Sequence, residues 1–119
     1  MAVSLLDTSG ELVSPPIWVD HNDPTPRLDA SETQADLARN GIVLADGLRL
    51  LLYDDDAEDG KVDDLLAIGI VRFDGGLGRW VADISRDFAD GAYVHFSGVD
   101  AATQVRWLRH RPENGQPYA

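Results

Sequence analysis

Between Ile42 and Trp107 the apolar residues come in short runs, each closed by glycine and aspartate, and no long helix fits between them. Residues 48–53 follow the turn formers Asp46-Gly47, and 65–73 form a longer run with Gly69 in its interior. Residues 79–84 follow the turn Asp74-Gly75-Gly76-Leu77-Gly78 and alternate: Trp80, Ala82 and Ile84 share one strand face, Arg79, Val81 and Asp83 the other. After Asp90-Gly91, Ala92, Val94 and Phe96 alternate with Tyr93 and His95. Residues 99–109 admit two readings. Either Asp100 caps a helix with Ala101, Val105 and Leu108 on one face, or a short turn leads into a strand in which Val105 and Trp107 alternate with Arg106. The strand is adopted. Four or five short strands joined by tight turns predict a mainly β chain, an antiparallel meander curling into a small barrel that bends at Gly69.

The first forty residues differ. Apolar stretches at 2–6 and 12–13 flank Asp7-Thr8-Ser9-Gly10 and suggest a loose hairpin, which Pro15-Pro16 ends. Residues 20–30 hold turn formers and few apolar side chains, so 1–30 are read as a partly irregular N-terminal extension. Ser31 and Gln34 have capping-box spacing and Asn40-Gly41 supplies a left-handed stop, which frames a helix over 31–40. One domain then covers 31–119: this helix, a barrel at about 42–112, and a tail at 113–119.

A chain of 119 residues supports one core. Its formal net charge is -11, which disfavours nucleic acid and anionic membranes as partners. Aspartate supplies most of the 21 acids, a bias that also fits a salt-adapted host or a GC-rich genome. The charge is uneven: residues 1–60 carry 13 acids and 3 bases, residues 61–119 carry 8 and 7. No apolar run approaches a membrane span, and the N-terminus lacks the basic start of a signal peptide, so a cytoplasmic location is expected. Cysteine is absent, which removes disulfides, thiolate nucleophiles and sulfur-ligated zinc.

The acidic loop 54–64 is the most distinctive segment. As an EF-hand its register fails: with Gly60 at the sixth position, Ala57 falls third and Leu66 twelfth, and neither coordinates. No metal and no cofactor are therefore assigned. Asp54, Asp55, Asp56, Glu58 and Asp59 are instead candidates for docking a basic partner, with Tyr53, Trp80 and Tyr93 on an adjoining face. Tyr53 and Tyr93 are expected to be the exposed aromatics, and Phe73, Trp80 and Phe96 core residues. The cluster around Trp107 offers Arg106, Arg109 and Arg111 as anion contacts, or as neutralisers of the chain's own acids. His21-Asn22-Asp23 holds two potential ligands in a proline-rich loop and reads as a plain turn. His95 beside Tyr93 is the one candidate base, and with no recognisable catalytic spacing an enzyme is not expected.

The segment Tyr93-Val94-His95-Phe96-Ser97-Gly98-Val99-Asp100, followed by Trp107, resembles SH3-like small barrels over about 46–112, and is similar to a segment of chromo-barrel, malignant-brain-tumour-repeat and Tudor-type domains. Those families commonly hold methylated lysine or another cation in an aromatic cage; where they place further aromatic and acidic residues, this chain has Val99, Thr103, Gln104, Val105 and Arg106. The resulting reading is an SH3-like barrel acting as a non-catalytic binding module, with the acidic loop 54–64 pointing to a basic protein or peptide as its partner. The alternatives are an acidic inhibitor or immunity-like protein that blocks a basic enzyme active site, and a structural or oligomerisation domain. Oligomeric state is left open.

Overall fold

The structure, a computed structural model, describes residues 5–54, 57–58, 61–62, 64–88 and 91–110, except for the side chains of 57, 58, 61, 62 and 110. Three apolar runs become the strands expected of them: β2 (Arg49–Asp54), β5 (Leu65–Asp74) and β6 (Arg79–Ile84), paired antiparallel in the order β2-β5-β6. Between β2 and β5 the chain forms a minimal separate ladder, β3 (Ala57–Glu58) against β4 (Lys61–Val62). A short strand β1 (Pro16–Trp18) adds to β2 in parallel, and β7 (Val94–His95) pairs with β5 at Leu65 and Leu66, in line with β6. This five-stranded sheet is mixed and open: it does not close into a barrel.

An open sheet needs cover on each face that is apolar, and here both are. On one face Leu50, Leu52, Val71 and Ala82 pack with Ile17, Val19 and Leu28 and with Leu37 of helix α1 (Ser31–Arg39). On the other, Leu51, Tyr53, Leu66 and Ile68 pack with Leu5, Leu12, Phe88 and Trp107. The apolar runs of β2 and β5 are continuous, not alternating, because these strands are buried on both sides. The 5–13 hairpin forms through the Leu6–Leu12 bridge, and Asp7 Oδ1 accepts the Ser9 amide at its turn. Leu5 and Leu12, from its two arms, belong to the core.

Helix α2 (Ala101–His110) stands where a strand was adopted for 99–109. Helical spacing wins because Thr103 and Trp107, four residues apart, turn inward together, Trp107 with no exposed surface. Asp100 starts the helix: its carboxylate accepts the Thr103 hydroxyl and its carbonyl the Gln104 amide. Val105 and Leu108, the apolar face proposed for such a helix, point to solvent. Helix α1 ends at Asn40, with Gly41 at φ +63°, as the Asn-Gly pair predicts. Its capping box does not form. Ala30 is the N-cap, and Gln34 instead donates its side-chain amide to the Leu28 carbonyl.

Both outer edges of the sheet are occupied by the chain itself. Along β1, Trp18 donates its amide to Asp36 Oδ2 at 2.9 Å and accepts the Thr33 hydroxyl at 2.7 Å. Along β6, Leu28 N–H bonds the Trp80 carbonyl and Ala82 N–H the Pro26 carbonyl.

Gly69 serves packing, not a barrel bend. A Cβ there would collide with Leu52 Cδ1 and come within 2.9 Å of Leu52 Cγ and 3.1 Å of Ala82 Cβ. Gly69→Ala is therefore expected to destabilise the fold by about 1–3 kcal/mol through overpacking, with partial recovery in Gly69→Ala/Leu52→Val. Urea unfolding of the three proteins checks this; a single variant as stable as the parent contradicts the packing account.

Candidate functional site

The sequence motif that looked like a plain turn is where acidic groups from distant segments meet. Val19 N–H bonds the Tyr53 carbonyl, extending the β1–β2 pairing by one residue and delivering Asp20 and His21 to the end of β2, where Asp54 sits. Asp54 is buried and accepts three donors: Trp18 Nε1 at 3.0 Å on Oδ1, and on Oδ2 the His21 amide at 2.9 Å and His21 Nδ1 at 2.5 Å. One donor atom from each of Asp20, His21 and Asp54 lies within 4.8 Å of the other two. The Tyr93 ring meets His21 edge-on, centroids 6.2 Å apart.

Tyr93 senses the same charges. Its hydroxyl oxygen is buried and has no hydrogen-bond partner among the described residues. Burial, then the negative charges of Asp54, Asp23 and Asp20, push its phenol well above the ordinary tyrosine range. Among the described residues no arginine forms an ion pair with Asp20, Asp23 or Asp54, whereas Glu11, Asp36, Asp74 and Asp83 each have one and Asp29 has two. The pairing of Asp83 with Arg72, two bonds of 2.8 and 3.1 Å, holds that carboxyl below its usual range.

The other residues singled out from the sequence are dispersed. Tyr53 is a core residue and not an exposed one: it is 8% exposed, with its ring edge-on to Trp107 at 5.4 Å. Trp80 is half-buried against Phe73, which at 46% exposed is not core either. The reason is that β2 reaches only to Ile70, so the far end of the β5–β6 hairpin extends beyond its neighbour. Phe96 opens a 3₁₀ turn and is half-buried, and His95 is exposed on β7. Arg106 serves the chain's own N-terminal hairpin, donating Nε to the Gly10 carbonyl at 3.0 Å and facing Glu11 at 3.5 Å; Arg109 is exposed. Glu58 lies in β3, while Asp55, Asp56, Asp59 and Arg111 fall outside the described residues.

His21 with Asp54 is an oriented imidazole, and among the described residues its ring bonds nothing but Asp54. Chemically the arrangement presents two carboxylates and one imidazole at the end of the sheet. Among the described residues no helix is long and apolar enough to cross a membrane. Compared with protein-family models, with curated proteins and with solved structures, the chain matches none.

Because the neutral Tyr93 phenol is favoured in the fold, stability from this group is complete below the unfolded value near pH 10 and declines as pH rises through the raised folded value. Tyr93→Phe is expected to match or exceed the parent at pH 7, by up to about 1 kcal/mol, since it deletes an unpartnered buried hydroxyl. Its stability should also fall less steeply above pH 10. Thermal unfolding between pH 7 and 11, with phenolate absorbance at 295 nm as a second signal, checks both; identical slopes in parent and variant contradict the assignment.

Proposed function

We propose that the chain is a non-catalytic binding module that engages a basic protein or peptide through the acidic end of its sheet. The observation that carries this reading is the meeting of Asp20 and Asp54 at His21, edge-on to the Tyr93 ring, with no arginine pairing with these acids among the described residues. Asp54 also opens the acidic segment 54–59, so the cluster and that segment adjoin along the chain. A lysine or arginine side chain entering here would meet carboxylates and the Tyr93 ring, an arrangement that favours a cation on both counts. Kinship with SH3-like barrels belongs to the same proposal; the antiparallel β2-β5-β6 meander within 46–112 supports it, and the open sheet with both faces covered is its main departure.

Electrostatic steering would set the rate of capture. Against a panel of arginine- and lysine-rich peptides, the double variant Asp20→Asn/Asp23→Asn is expected to associate about tenfold more slowly at low salt, and the difference should shrink as salt rises. Surface plasmon resonance at two ionic strengths reads both. Equal rates for variant and parent, or no peptide bound by either, would overturn the proposal.

A further inference from the structure

We infer that Asp20, His21 and Asp54 form a site for a divalent first-row transition-metal ion. The donor set is one imidazole and two carboxylates brought together from the β1 exit and the end of β2, with donor atoms within 4.8 Å of one another. That mixture selects against calcium, which takes six to eight oxygens, and suits zinc-like ions, which accept nitrogen and oxygen together.

Three further observations separate this cluster from ordinary surface acids. Asp54 is only 8% exposed, and the one cationisable group bonded to it among the described residues is His21 itself. Its remaining donors, Trp18 Nε1 and the His21 amide, are the neutral kind of hydrogen bond that orients a ligating carboxylate without neutralising it. The Tyr93 ring meets His21 edge-on, and its hydroxyl is buried with no hydrogen-bond partner among the described residues. Asp20 is the adaptable member: it is exposed, and Oδ1 accepts the Asn22 amide, which leaves Oδ2 to close on an ion. Three protein ligands leave further coordination positions for water or for a partner's side chain.

The inference does not depend on a basic partner, since its test uses the metal alone. The full chain, stripped with chelator and dialysed, would be titrated with Zn²⁺, with Ca²⁺ and Mg²⁺ in parallel, by calorimetry and thermal unfolding. Expected are one Zn²⁺ per chain and a rise in Tm on the order of 5–10 °C at about 100 times Kd, because an ion that binds the folded state stabilises it. Ca²⁺ and Mg²⁺ should give little. Co²⁺ in place of Zn²⁺ should show visible absorption of an ion with nitrogen and oxygen ligands. His21→Ala should lose binding at least tenfold; should that variant fail to fold, Asp20→Asn, whose side chain is outside the core, should show the same loss. Absence of Zn²⁺ binding to the parent overturns the inference, as does binding unchanged in Asp20→Asn, which would show that this set of three does not hold the ion.

Discussion

Strand β5 is buried on both faces, and the rest of the molecule is arranged around that constraint. Leu66 and Ile68 face one apolar layer, while Ala67, Gly69 and Val71 lie on the other side of the pleat, against a second. A single chain of this length must therefore supply two covers. The segment 16–37 provides one and the pair of the 5–13 hairpin and α2 the other, so the N-terminal part is as much a component of the core as the strands. Gly69 is where the constraint is tightest, because Leu52 and Ala82 occupy the space a side chain would need.

Aspartate does much of the local work of shaping the turns. Asp7, Asp20, Asp23 and Asp74 each accept a backbone amide two residues on and so shape their turns, and Asp46 accepts the Phe73 amide across from β5. Asp36 caps the edge of the sheet at Trp18, and Asp54 locks Trp18 and His21 onto the end of β2. The Asp-rich composition therefore has a structural share, whatever its origin in the genome. What distinguishes Asp20 and Asp54 is that they meet at His21, whose ring is edge-on to Tyr93, with no arginine pairing with either among the described residues.

The strands β2, β5 and β6, the turn at 74–78 and the stop of α1 were legible because each is specified locally: apolar runs, alternation, and glycine where the backbone turns left-handed. Residues 99–109 fit a turn and a strand as well as a helix by local pattern, because Val105 and Trp107 alternate with Arg106 as a strand would. Only burial of Thr103 and Trp107 against the sheet selects the helix. The site was missed for a different reason. His21 and Asp54 are 33 residues apart, and nothing in their spacing announces that a parallel pairing of β1 with β2 will bring them to 2.5 Å.

The sequence by itself determined the three antiparallel strands, the turns between them and the acidic character of the first half, because short-range periodicity and charge are properties of neighbours along the chain. Tertiary structure alone decided that the sheet stays open with both faces covered, that Tyr53 is buried while Phe73 is not, and that Asp20, His21, Asp54 and Tyr93 share one place. Those outcomes depend on which distant segment covers which face, and that is settled by burying the most apolar surface at once, not by any local pattern.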